Sequence, residues 1–181
     1  VTAPAASGAP GTLPATPALP TNRGSDVPAG TPTPVTLKPQ QIDVVKAAGV
    51  PLQISPKIFE VDYSIVVANV GAASPTVYNV QANDNLKATF PTAATITVSN
   101  YAVAAGAGTP AGICAAATAP AFAGTTAASG LLSGTGDLAG GQSCVITFKA
   151  RVDYGVATVP ATAQNNSAYG SGMGVDASPN P

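Results

Sequence analysis

The side chains able to do chemistry are few and scattered. The 181-residue chain has no histidine, seven Lys plus Arg and eight Asp plus Glu. Without an imidazole, neither Ser–His–Asp nor Cys–His catalysis is open to it, and the commonest metal ligand is missing. The carboxylates are Asp26, Asp43, Glu60, Asp62, Asp84, Asp137, Asp153 and Asp176. Glu60 and Asp62 stand at i and i+2 on one strand face, a spacing that could serve acid–base work or calcium. Beside Lys149 or Arg151 the pair reads instead as a solvated sheet face. Asn83-Asp84-Asn85 reads as a turn and lacks the spacing and closing Glu of a calcium loop. Ser143, within Gly141-Gln142-Ser143-Cys144-Val145, lacks the second Gly of a nucleophile elbow. Gly170-Ser171-Gly172-Met173-Gly174 does not open a helix after a strand, so it is no phosphate loop. The expectation is a protein that is not an enzyme, with no catalytic residue, metal or cofactor.

Two covalent features stand out against this background. Cys144 falls on the inward phase of an alternating run, and Cys114 lies in an Ala/Gly-rich loop. Two cysteines in an exported chain predict a Cys114–Cys144 disulfide, with two buried inert thiols as the alternative. Closing that loop stabilises by roughly 3 kcal/mol in the chain-entropy account. Asn165-Asn166-Ser167 makes Asn165 a candidate glycosylation acceptor, and glycans candidate partners. A Lys–Asn cross-link from Lys57 or Lys149 to Asn165 would suit a surface sandwich, although no sequence pattern singles one out.

The elements that must position these groups are strands. Residues 59–71 carry the clearest period-two pattern, with Phe59, Val61, Tyr63, Ile65 and Val67 on one face and Glu60, Asp62, Ser64, Val66 and Ala68 on the other. This is the expected central strand. Residues 42–47 read as a first strand, with 52–54 a short continuation past Gly49 and Pro51. Residues 77–83 and 95–103 follow as further strands, the latter β-branched and alternating. Residues 104–130 read as a long loop, with Leu131, Leu132 and Leu138 as core plugs beyond it. In 143–153, Cys144, Ile146, Phe148, Ala150 and Val152 face inward. Residues 161–169 read as a weaker last strand and 170–181 as a Gly-rich loop. About seven short strands without an amphipathic helix predict an all-β antiparallel sandwich, with a small barrel or jelly roll as the alternative.

Residues 1–39 have a different texture, holding nine of the eighteen prolines. Proline fixes φ and removes a donor, so this is expected to be an extended polyproline II arm, separate from a domain over 40–181. At ~3.1 Å per residue, residues 1–37 could reach on the order of 110 Å. Leu13, Leu19, Val27, Val35 and Leu37 are its sizeable apolar anchors after Val1. Val35-Thr36-Leu37 has strand alternation that could add to a neighbour's sheet edge. With 8% charged residues and a net charge of −1 there is no basic stripe for nucleic acid. No run reaches the roughly 18 apolar residues of a membrane span. The low charge, the paired cysteines and a first residue other than Met suggest an exported chain with its signal peptide removed.

The run Phe59-x-Val61-x-Tyr63-x-Ile65-x-Val67-x-Asn69-x-Gly71 is followed by Val77 to Leu86 with Asp84-Asn85-Leu86, then Ala88-Thr89-Phe90-Pro91. Together with Leu138-Ala139-Gly140-Gly141 before 143–152, this resembles the conserved repeat domain of bacterial surface proteins, the "domain of unknown function eleven" family. The resemblance spans roughly 42–181. It implies an immunoglobulin-like sandwich in secreted or surface-exposed proteins and transfers no active site. This chain has one such repeat and adds the proline-rich arm.

The function expected from the sequence is a structural subunit of an extracellular, cell-surface fibre, filament or sheath, a head-to-tail homopolymer joined through the arm. The alternative is a monomeric adhesin or glycan-binding module. With no Trp and five Tyr, the aromatic platforms that a sugar site uses are scarce.

Overall fold

Twelve residues, Ile58–Asn69, form the longest strand, and everything else is arranged around it. The computed structural model describes residues 40–117 and 130–174. The arm anchors Leu13, Leu19, Val27, Val35 and Leu37 lie outside the described residues. Within them the elements are β1 (Ile42–Ala48), β2 (Leu52–Ser55), β3 (Ile58–Asn69), β4 (Tyr78–Asp84), a one-turn helix α1 (Leu86–Thr89), β5 (Thr95–Ala105), β6 (Ser143–Asp153) and β7 (Ala168–Met173). No helix among them is long and apolar enough to cross a membrane.

The fold is an antiparallel β-sandwich. The larger sheet has the order β1-β3-β6-β5, with β2 also paired to β3. β1 and β2 run along the same edge of β3, one opposite Tyr63 to Asn69 and the other opposite Ile58 to Glu60. They are one edge broken at Gly49–Pro51, because proline cannot donate to the ladder. β3 and β6 pair without a register shift, setting Tyr63 opposite Phe148, Ile65 opposite Ile146 and Val67 opposite Cys144. Their inward residues Val61, Tyr63, Ile65, Val67, Ile146, Phe148, Ala150 and Val152 are all buried. Each large side chain so buried contributes roughly 1.5–3 kcal/mol, and this double row is the backbone of the core.

The smaller layer is β4 with β7 on one side and an irregular strip, 130–138, on the other. Val77 and Leu138 exchange both backbone hydrogen bonds, at 2.9 and 2.8 Å, and Leu131 N–H donates to the Ala82 carbonyl at 2.8 Å. Leu131, Leu132 and Leu138 are buried, which is what large apolar residues isolated in a Gly-rich stretch predict. Asn69, at the end of β3, is fully buried. Its Nδ2 donates to the carbonyls of Pro75 and Leu138, both at 2.8 Å, and so ties the larger sheet to the strip.

Two segments differ from the sequence reading. Residues 83–85 are not a free turn: β4 continues through Asp84, and Asn85 caps α1 by accepting from the Ala88 N–H at 3.0 Å. Asp84 stays in the strand because it is in phase with Val80 and Ala82 and has a buried partner, described below. The last strand is Ala168–Met173 rather than 161–169, so glycines expected in a loop lie in a sheet. β7 passes close over its neighbours. A Cβ at Gly170 would fall 2.5 Å from Val44 Cγ2 and 2.7 Å from Ile42 Cγ2, and one at Gly172 would run into Val77. A side chain at either position would push the strand off the layer below.

Candidate functional site

β1 presents Ile42, Val44 and Lys46 to one side, and β4 presents Val80, Ala82 and Asp84. Each strand thus ends an apolar phase on a charge, and the sandwich brings the two charges together. The Lys46 ammonium donates to Asp84 Oδ2. Their side chains are 8% and 0% exposed. The walls of the site are aromatic. Lys46 Nζ sits 4.6 Å from the centre of the Tyr63 ring and 5.8 Å from that of Phe148. Those two rings, opposite each other in the β3–β6 ladder, stack at 5.2 Å.

The third polar member is Asn166, just before β7, which is held against β4 by the pairing of Ala168 with Asp84. Burial raises the pKa of both the Asp84 carboxyl and the Tyr63 hydroxyl, and the Asn166 carboxamide, interacting with each, pulls back against that rise. Thr89, from the last position of α1, donates its hydroxyl to Asn166 Oδ1 at 2.9 Å. The one-turn helix therefore serves to aim a hydroxyl at an amide oxygen. Two atoms are left over: Asp84 Oδ1 and Asn166 Nδ2 are buried and lack a well-aligned hydrogen-bond partner among the described residues. Unpaired buried polar atoms of this kind are rare in folded proteins and call for a reason.

Burial dominates the electrostatics. It lowers the Lys46 pKa below that of an ordinary lysine, and the hydrogen bond and charge of Asp84 oppose the shift without cancelling it. It raises the Asp84 pKa, again against the pull of Lys46. Both shifts move the pair toward neutral amine and carboxylic acid. Burial also raises the Tyr63 pKa, so its phenol stays protonated. The site is an amine, a carboxyl and a carboxamide gathered beside a stacked pair of aromatic rings.

The groups singled out from sequence are elsewhere. Glu60 and Asp62 lie on the outer face, where Lys149 Nζ stands 3.4 Å from Glu60 and 3.9 Å from Asp62, whose side chain is 76% exposed. Such a pair contributes little. Lys57 donates to the carbonyls of Val156 and Ala157, and Asn165 is exposed. Neither Lys57 nor Lys149 is brought to Asn165. Cys114 and Cys144 form a disulfide with Cα atoms 5.5 Å apart, pinning the 106–117 segment to β6. Among the described residues, no group of three or more metal-ligating side chains is assembled. An apolar cavity of about 340 Å³, lined in part by Pro51, Phe59, Val61, Tyr154 and Val159, opens at the β2 end of the sandwich. Val50 and Leu52 beside it are exposed.

No family model, curated protein or solved structure matches the chain.

Lys46, Asp84 and Asn166 were not singled out from sequence. A usable signal was present for two of them, since a charge in the inward phase of an apolar strand needs a buried partner. Asn166 sits in irregular chain, where no periodicity marks an inward side.

Proposed function

We propose that the chain is a structural subunit of an extracellular bacterial surface assembly, joined to other copies of itself through the proline-rich segment 1–39. The observation that carries this reading is where the buried polar chemistry lies. Lys46 meets Asp84 across the sandwich, with its ammonium over the aromatic rings, and Thr89 and Asn166 bond beside them, so that the polar side chains tie the two layers together. The disulfide adds a second tie within the same small domain. Both suit a part that must last outside the cell. The resemblance of residues 42–181 to a repeat domain of surface proteins supports the same reading.

A heterologous contact is what lets single domains form a fibre. The segment 1–39 carries Leu13, Leu19, Val27, Val35 and Leu37 as anchors, and the cavity flanked by Val50 and Leu52 is an apolar seat of fitting size. Deleting residues 1–37 is expected to leave a folded, disulfide-bonded monomer. Sedimentation and negative-stain microscopy of the two forms make the test: linear particles from the full chain and none from the truncated one support the reading. Equal assembly by both forms removes the arm as connector, and a full chain that stays monomeric at high concentration removes the homopolymer.

A further inference from the structure

We propose that Lys46 and Asn166 become joined by an intramolecular isopeptide bond, formed by the folded protein itself with Asp84 as proton carrier. This goes beyond the assembly reading and stands whether or not the arm joins copies.

The site gathers a nucleophile, an electrophile and a proton carrier for an amide aminolysis, with Asp84 and Tyr63 the neighbours that Lys46 and Asn166 share. The nucleophile is an amine on an inward strand position, held over the faces of Tyr63 and Phe148. The electrophile is a carboxamide whose Oδ1 already accepts a hydrogen bond from Thr89, so a donor stands where negative charge develops in the transition state. Between them lies Asp84, bonded to Lys46 through Oδ2 and next to Asn166, with no well-aligned partner at Oδ1. Of the three buried atoms without good partners, Asn69 Oδ1 lies elsewhere, and Asp84 Oδ1 and Asn166 Nδ2 are the two that a proton must pass between for the amide nitrogen to leave. Asn166 Nδ2 and the Lys46 and Asp84 side chains are buried, which limits the access of competing water.

In the starting state Lys46 transfers a proton to Asp84, giving neutral amine and carboxylic acid. The burial that lowers the Lys46 pKa and raises that of Asp84 favours this transfer. The Nζ lone pair attacks Asn166 Cγ, and the Nζ–Cγ bond forms as the carbonyl π electrons move to Oδ1, where the Thr89 hydroxyl meets them. Asp84 gives its proton to Nδ2 and takes one from Nζ. The Cγ–Nδ2 bond then breaks and ammonia departs. One amine and one carboxamide become one secondary amide and one ammonia, with Asp84 protonated at both ends of the sequence. No oxidant, cofactor or second substrate is needed. Proximity in a preformed site is what makes a step this slow in solution accessible, and it need occur only once per molecule.

High-resolution intact mass of the full chain, oxidised, with tandem-mass mapping of a protease digest, decides the matter. The expected result is a chain lighter than its disulfide-bonded sequence mass by one ammonia, with a branched peptide joining Lys46 to Asn166. The Lys46→Arg chain should carry its full mass, and so should Asp84→Asn if Asp84 carries the proton. Recovery of Lys46 and Asn166 as unlinked residues from the wild-type digest overturns the proposal, as would loss of ammonia confined to an asparagine succinimide. A chain lighter by one water and branched from Lys46 to Asp84 also overturns it. A folded Asp84→Asn chain that links as fully as wild type would remove Asp84 from the chemistry. Mapping of the wild-type protein needs no variant to fold, so it stands on its own.

Discussion

Replacing Lys46 with Met tests the account of the buried cluster most directly. Methionine keeps an unbranched stem beside Tyr63 and Phe148 and removes the cation. Asp84, with a side chain fully buried, then has no charge beside it. Stripping one partner from a buried pair costs about 3–5 kcal/mol, because the survivor is left desolvated and unpaired. The matched control is Lys46→Met/Asp84→Val, which removes both charges and places a β-branched side chain in a strand; neither chain can form a Lys46 cross-link. At pH 7 the single variant should be less stable than the double by about 3–5 kcal/mol in urea titrations. The pH dependence has a definite sign. In Lys46→Met the influences that hold the Asp84 pKa down through Lys46 are gone and burial, which raises it, remains. The folded state therefore binds more protons than the unfolded state between the ordinary carboxyl value of 3.8 and the raised one. The stability contributed by protonated Asp84 is full below 3.8 and is lost as pH rises through the folded value, so the gap between the two variants should narrow steadily on acidification from pH 7 toward 4.5. A gap that stays constant or widens over that range refutes the buried-charge reasoning.

Two further outcomes follow from the packing. Reducing Cys114–Cys144, which closes a separation of 30 residues, should cost roughly 3–4 kcal/mol, and hydrogen exchange should rise across 106–117 before it rises in β3. Non-reducing peptide maps with both thiols free would contradict the bond itself. Gly140→Ala would place a methyl 2.6 Å from the carbonyl oxygens of both Gly71 and Ser74, backbone atoms that cannot swing away as a side chain would. It should destabilise by about 1–3 kcal/mol, and an unchanged thermal midpoint would mean that the turn is looser than described.

How much of this was legible beforehand depended on side-chain phase. β3 and β6 could be read because their apolar residues alternate without interruption, and a half-buried strand leaves that imprint and no other. β7 could not, because closeness rather than burial selects its residues, and glycines chosen for closeness look like a loop. Lys46 and Asp84 kept perfect phase with their apolar neighbours, yet a charge in a list of residues carries no mark of its partner. Pairing Lys46 with Asp84 requires knowing that β1 and β4 stand in facing layers, which is a long-range fact of topology. Asn165 and Asn166 are neighbours, and in extended chain one residue separates an exposed side chain from one that reaches the Asp84 cluster.

The layout around Gln40 and Gly174 bears on how the sandwich meets a pulling force. Gln40 donates from Nε2 to the Gly174 carbonyl at 2.8 Å, so the outer ends of the first and last strands lie side by side. Tension applied there would open β1 from β7 like a zipper, loading a few contacts at a time instead of shearing a whole ladder at once. A sandwich with only that geometry would yield early. Six residues inward along one strand sits Lys46, and eight residues inward along the other chain sits Asn166. A clasp placed there would stop the peel after the first few contacts and pass the load straight across the mouth, leaving residues 47–165 out of the line of force.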